Sequence, residues 1–410
     1  MSKPLELKPL FDSLEFISKQ DFSSIGLTAK QTSDCEITAQ FLKSYIGSAG
    51  TFNSYRREVE RLLHWTWKVA HKTIPNLKRD DIENFAKFCL KPPHSWIGLK
   101  KPARFISREG RRIPNLEWRP FVATISKKQH KEGRRPEKGN FKLSNGAIKE
   151  MLAILSSYFN YLLQEDYVAV NPVALIRQKS KFVQRRQGVP QIRRLTQEQW
   201  LSVIEVAEEL ARDDPAKHER TMFIMSALYS MYLRISELCA SSRWTPLMSH
   251  FRKDHDCLWW FVTVGKGNKE RQIAVSDAML KALRRWRKFL GLSALPSPSD
   301  DSPLLPRNRG DGPISSTTYL REIVQLCFDR AVAKLKENDK FDEADALMEA
   351  TVHWLRHTGI SDDVKIRPRE HVRDDAGHSS SAITDKYIDI ELRERHKSAK
   401  QKPIASRPLS

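Results

Sequence analysis

Apolar residues along most of this chain recur every three or four positions, the spacing of one helix face. Between Glu36 and Leu90 three such stripes follow one another. Phe41, Leu42 and Tyr45 form the first, Tyr55, Leu62, Leu63, Trp65 and Trp67 the second, and Ile82, Phe85 and Phe88 open the third. Gly47 and Gly50 punctuate the first two. Residues 143–164 predict a further amphipathic helix, with Ile148, Leu152, Leu155, Phe159 and Leu162 on one face, stopped by Asn171-Pro172. The pattern then lapses and resumes at Thr196, which with Gln199 makes a capping box. Helices are predicted at 197–211 and 217–233, then a hairpin: strand Leu258–Val264, a turn over Gly265–Glu270 and a short strand Arg271–Val275. A helix at 277–290, a Pro/Ser/Asp-rich loop at 294–316 and helices from 317 onward complete the reading. The predicted class is mainly α and two-domain, an all-helical N-terminal unit followed by a mainly helical one with a small antiparallel sheet.

These shifts divide the chain into an N-terminal extension (1–35), a helical unit (36–176), a linker (177–194), a second domain (195–395) and a tail (396–410). A length of 410 residues is in keeping with two or three domains. Apolar residues at 40% and charged residues at 29% exclude a disordered polymer. The longest apolar stretches, Thr221–Leu233 and Met151–Leu163, are too short to span a bilayer, and MSKPLELKPLF lacks a signal-peptide core. The expectation is a soluble, cytoplasmic protein with no membrane partner. Five scattered cysteines (Cys35, Cys89, Cys239, Cys257, Cys327) fit neither a disulfide framework nor a zinc ribbon, so reduced, structural thiols are expected.

Charge changes the picture. Seventy Lys and Arg against fifty Asp and Glu leave +20, a surface suited to a polyanion. Residues 100–142 hold fourteen Lys and Arg against four Glu, with Trp96, Phe105, Trp118 and Phe121 interleaved or nearby. An arbitrary basic loop is a solvated face; here the aromatics favour an arm that touches nucleic acid, through Arg111, Arg112, Arg134 and Arg135. Residues 177–194 carry seven Lys and Arg and no acid. They read as a tether, and Arg185 and Arg186 in it are further DNA-contact candidates.

Four stretches place cations or titratable groups at costly positions. Arg234 ends the apolar run MFIMSALYSMYLR, and a buried arginine needs an anion, either Glu237 or a ligand phosphate. Lys266 projects from the turn GKGNKER, where a lysine is ordinarily plain surface. His353 and Arg356 share a helix face that Gly359 is placed to end. An adjacent arginine lowers an imidazole pKa, and a phosphate between the two would reconcile them. His353 and His357 stand four apart like zinc ligands, but the Glu of that motif is missing and Arg356 lies between them, so no metal is expected. Pro368 and Gly377 bracket a short helix; His378 follows, then a helix bearing Tyr387, which taken alone reads as core.

Together YLRISEL, GKGNKER, HWLRHTG and AGHSSSAITDKYI resemble the signature boxes of the tyrosine recombinases, the phage-integrase and Xer-like site-specific recombinases. Box order, spacing and the nine-residue step from His378 to Tyr387 carry the resemblance across roughly 190–395. It implies that Tyr387 is the nucleophile, Arg234 and Arg356 the phosphate clamps, Lys266 the general acid and His353 the acid/base. His378 would hydrogen-bond the scissile phosphate, and Glu237 would support Arg234. Thr-Gly before the first arginine is replaced by Met231-Tyr232-Leu233, Leu-Gly-His by Ala376-Gly377-His378, and Ser361–Arg373 is less apolar than the family pattern.

The implied function is cleavage and rejoining of double-stranded DNA through a 3′-phosphotyrosyl intermediate and a Holliday junction. A homotetramer would do this without cofactor, metal or ATP, with accessory DNA-bending or directionality proteins as further partners. The implied setting is the nucleoid of a bacterium, the gene belonging to it, to a phage or to another mobile element. Two alternatives stay open: type IB topoisomerase-like relaxation, and a DNA-binding factor that does not cleave.

Overall fold

A computed structural model describes residues 7–23, 26–174, 176, 193–265, 269–378, 380, 383–384 and 400. The predicted tether at 177–192 with Arg185 and Arg186, the residues Lys266 and Tyr387, the helix expected around Tyr387 and nearly all of the tail lie outside them. The chain divides into two compact units, residues 1–187 and 188–410. No helix among the described residues is long and apolar enough to cross a membrane.

The first unit is built on α1 (Ala29–Lys43), α2 (Ala49–Lys68), α3 (Arg79–Leu90) and α5 (Asn145–Gln164), with a short α4 (Lys127–Lys131). Thr28 and Gln31 cap α1 reciprocally, and the Ser48 and Ser144 hydroxyls cap α2 and α5. The predicted stripes become the core: Phe41, Leu42, Leu62, Leu63, Ile82, Phe85, Leu155 and Phe159 are buried together. Leu10, Phe11, Ile17 and Phe22, from the stretch that precedes any predicted element, join them. Asp34 locks the helices by accepting hydrogen bonds from the Trp67 indole (2.9 Å), the Tyr167 hydroxyl (2.8 Å) and the Ile74 amide (3.3 Å). Asn171, predicted as a stop, reaches back to the Ser156 carbonyl (3.1 Å) on α5.

The basic segment corrects the sequence reading. The unit is not all helical: β1 (Ile97–Gly98) pairs in parallel with β4 (Phe121–Val122), and β2 (Phe105–Arg108) with β3 (Arg111–Pro114) as a hairpin. Glu109 and Gly110 turn that hairpin with positive φ of 51° and 74°. Trp96, Phe105, Trp118 and Phe121, whose interleaving with the charges favoured an arm that touches nucleic acid, are buried core residues. Hydrophobic transfer claims them because charged neighbours on the same segment take the solvent side. Arg112 is claimed too, forking onto both Asp12 carboxylate oxygens at 2.8 and 2.9 Å. Arg111, Arg134 and Arg135 are exposed.

In the second unit α6 (Gln197–Asp213) starts at the predicted Thr196–Gln199 capping box. Next come α7 (Pro215–Ser230), a sheet, α8 (Asp277–Phe289), α9 (Thr317–Glu337), α10 (Phe341–Met348), α11 (Val352–Asp363) and α12 (Arg369–Ala376). The sheet has three antiparallel strands rather than the predicted two: β5 (Phe251–Lys253), β6 (Trp259–Val264) and β7 (Glu270–Ala274). Three residues are too few to display alternation, so β5 left no sequence signal. Helices α6, α7, α9 and β6 enclose one core that includes Phe223, Leu228, Phe261, Trp286 and Phe328.

Gly359 does not end its helix. It lies buried in the middle of α11, where a Cβ would overlap the Tyr229 carbonyl oxygen on α7. The glycine is a contact point between two helices, and it brings α11 against the end of α7.

Candidate active site

Helix α7 stops at Ser230, four residues earlier than the arginine that was expected to close it. Tyr232 then takes a left-handed conformation (φ 49°), and Arg234 opens a tight 3-10 turn over Ile235–Glu237. This geometry makes Glu237 a double anchor. One carboxylate oxygen accepts the Arg234 amide (2.9 Å) and the other the Arg234 guanidinium (2.9 Å), so it serves as both cap and ion pair. Glu237 is 2% exposed. Burial alone would raise its carboxyl pKa, but the hydrogen bonds and charge of Arg271, joined by Arg234, hold it below the usual value.

Sequence reasoning missed Arg271. From β7 it donates to both Glu237 oxygens (2.8 and 2.7 Å) and, through Nε, to the Asp375 carbonyl (3.0 Å). The available signal was its place five residues after Lys266 on the second hairpin strand, pointing the same way as the Thr263 it pairs with.

Arg356 sits on α11, 2% exposed. It donates to the Tyr232 carbonyl and, at 2.6 Å, to the Ala376 carbonyl at the end of α12. Gly377 caps α12 in the left-handed conformation (φ 64°), as its bracketing position predicted, and the His378 amide returns to the Arg373 carbonyl (3.1 Å). The His378 ring shares a 2.9 Å hydrogen bond with the Thr384 hydroxyl. The polar stretch Ser361–Arg373 packs by ion pairing. Arg367 joins Asp363 (3.1 Å), Asp375 (2.6 Å) and the Tyr232 hydroxyl (2.9 Å), holding α11, α12 and the α7 end together.

The field in this region is positive. His378 is pushed down to about 4 by burial and by Arg356, Arg234 and Arg271. His357 is likewise lowered to about 4, by burial, His353, Arg356 and His378. His353 is lowered by desolvation, Arg356 and Arg234. The His353 and His357 rings meet edge to face at 4.3 Å between centroids. At neutral pH all three imidazoles are therefore neutral, able to accept protons, beside permanently charged arginines. Among the described residues no group of three His, Cys, Asp or Glu is placed to hold a metal. The structure thus gathers Arg234, Glu237, His353, Arg356 and His378 around the ends of α7 and α12. Arg111, Arg112, Arg134 and Arg135 belong to the other unit.

Residues 193–393 match the model of the phage integrase family. A tyrosine recombinase XerC of Xanthomonas axonopodis pv. citri is 25% identical over 346 residues, covering 84% of this chain and 88% of that protein. The XerC of Thermodesulfovibrio yellowstonii is 26% identical over 261 residues, covering 61% of this chain and 73% of its own length. This chain belongs to the tyrosine recombinases. Its fold is theirs as well. A crystal structure of XerH site-specific recombinase bound to palindromic difH substrate, a post-cleavage complex, superposes with a TM-score of 0.55. Sequence identity there is 14%, over 98% of this chain and 99% of that one. The activity that goes with membership in this recombinase family is site-specific DNA recombination.

Proposed function

We propose that this recombinase cuts and rejoins double-stranded DNA through a covalent 3′-phosphotyrosyl intermediate on Tyr387. The observation that carries the reading is the cluster of Arg234 and Arg271 on one buried carboxylate, with Arg356 beside lowered histidines. Such a field stabilises charge growing on the non-bridging oxygens of a phosphodiester in transit. Arg234 and Arg356 clamp those oxygens, and His378 donates a further hydrogen bond. His353, neutral at working pH, takes the phenolic proton as the Tyr387 oxygen bonds to phosphorus. The bond to the 5′ oxygen breaks, and Lys266 supplies the proton that oxygen needs. The phosphotyrosyl ester retains the bond energy, so the reverse attack by a 5′ hydroxyl reseals the strand without nucleotide or metal cofactor.

The net charge of +20 supports duplex DNA as the partner. Four copies exchanging strands through a Holliday junction, with accessory DNA-bending proteins, in the bacterial cytoplasm on nucleoid or mobile-element DNA, complete the proposal.

The test is a suicide duplex nicked beside the cleavage point. The wild-type chain should yield an adduct whose digest contains Tyr387 within residues 383–388, in EDTA as in Mg²⁺. Tyr387→Phe should bind the duplex and form none. An adduct on Tyr319, or activity that needs added metal, overturns the assignment. Plasmid relaxation without two-site recombination would identify a topoisomerase, and binding without cleavage an accessory factor.

A further inference from the structure

Arg271 lies outside the set of residues given chemical roles above, yet it touches three parts of the site at once. Its side chain is 9% exposed. The two terminal nitrogens close a fork on Glu237 (2.8 and 2.7 Å), the carboxylate that also holds the Arg234 guanidinium at 2.9 Å. The third nitrogen donates to the Asp375 carbonyl (3.0 Å) in the last turn of α12, three residues before His378. Those partners stand 34 residues before it and 104 after it.

Two glycines make room for it. A Cβ on Gly265, at the end of β6, would stand 3.0 Å from a terminal nitrogen of Arg271, 3.3 Å from Arg234 and 3.4 Å from Glu237. A Cβ on Gly377 would stand 2.8 Å from the Arg271 Cδ. One guanidinium therefore accounts for the small residue before Lys266 and adds a packing reason to the conformational one before His378.

We propose that Arg271 is a positioning residue for strand cleavage, one that clamps Glu237 so that Arg234 faces the phosphate and ties the β6–β7 hairpin to the end of α12. The inference rests on the reading of Arg234 as a phosphate clamp. A planar fork is required: lysine keeps the charge but gathers its donors on one compact nitrogen, which cannot span two carboxylate oxygens and a carbonyl together. Without the fork, Glu237 can pivot with Arg234 attached, and a misplacement of about 1 Å in a clamping group costs roughly 100-fold in rate.

The experiment measures single-turnover cleavage of a suicide duplex at saturating full-length protein, together with duplex affinity and Tm. Arg271→Lys should slow cleavage toward that roughly 100-fold loss while affinity stays within about twofold, because the effect falls on the reacting complex. The double variant with Glu237→Gln should be no slower than the slower single variant, since both remove one clamp. A purely structural role would lower Tm and leave the rate of the bound complex alone, which would overturn the proposal. Arg234→Ala in parallel separates the two levels. If it is slow and Arg271→Lys is not, the positioning role fails by itself. If Arg234→Ala cleaves normally, the clamp reading fails and takes the inference with it. Should Arg271→Lys not fold, Gly265→Ala crowds the same guanidinium with every charge kept: slowed cleavage supports the proposal and an unchanged rate overturns it.

Discussion

Two arginine clusters, one in each unit, meet their carboxylates in opposite ways. In the first, Arg104 pairs with the fully buried Glu60 and lies over the Trp118 ring, and Arg112 forks onto Asp12 above Phe16. Each of these two guanidiniums has a carboxylate of its own and an aromatic face, so the charge is matched one to one. Glu58 does meet two arginines, but Arg57 is half exposed and water screens it. In the second unit Arg234 and Arg271 share Glu237, Arg356 lies close by, and three histidines are lowered by burial with the surrounding cations adding to it. On the proposed reading, what separates a structural arginine from one that clamps phosphate is the supply of carboxylates around it. The number of arginines in the sequence does not reveal this.

The contrast is most exposed to failure at its two buried pairs. Arg234→Ala should lower single-turnover cleavage by about 10²- to 10³-fold, as loss of one transition-state donor does, with little change in Tm because Glu237 keeps Arg271. Arg104→Ala should do the reverse. It removes the ion-pair partner of the buried Glu60, leaving that carboxylate the Leu10 and Phe11 amides, and should destabilise the first unit by about 3 kcal/mol, read by denaturant unfolding, while the folded fraction cleaves normally. A cleavage defect in the folded Arg104→Ala chain would erase the distinction.

Next in size is a pH effect. His64 in the first unit and His357 and His378 in the second all titrate near 4 when folded, against about 6.5 unfolded. Below about 6.5 the unfolded chain binds protons that the folded chain refuses, so stability should fall as pH drops from about 6.5 toward 4 and should be insensitive to these groups above 7. Burial lowers His64 mainly, whereas the arginine field adds to burial at His378. A DNA phosphate neutralises that field, so duplex binding near pH 5 should take up protons. Calorimetry in buffers of different ionisation enthalpy reads this uptake, and His378→Gln, not His64→Gln, should reduce it. Equal dependence on both would break the comparison.

The smallest effect sharpens the split inside residues 100–142. Arg111→Ala should flatten the slope of log affinity against log salt by about 0.9, the value of one phosphate contact, without cost in stability. Arg112→Ala, already committed to Asp12, should leave the slope and lower Tm. Deleting the whole segment would not test DNA contact, because it removes Phe105, Trp118 and Phe121 from the core.

Much was legible in the sequence for a local reason. Helix stripes, the Thr196–Gln199 capping box and the Pro368…Gly377 bracket are each written within a few turns of chain, and their geometry followed. The signature boxes likewise named Arg234, Glu237, His353, Arg356 and His378, which the fold then assembled. Three things depended on partners far away in sequence. Phe121 of the basic segment, and Trp96 just before it, became core because Leu10, Phe11 and residues of α2, α3 and α5 were there to receive them. Gly359 proved to be a helix contact because the Tyr229 carbonyl stands against it. Arg271 acquired its place only when Glu237 and Asp375, 34 and 104 residues away, closed on one guanidinium. Periodicity and caps are properties of neighbouring residues, and sequence alone determines them. Which cation shares which carboxylate is a property of packing, and only the folded chain decides it.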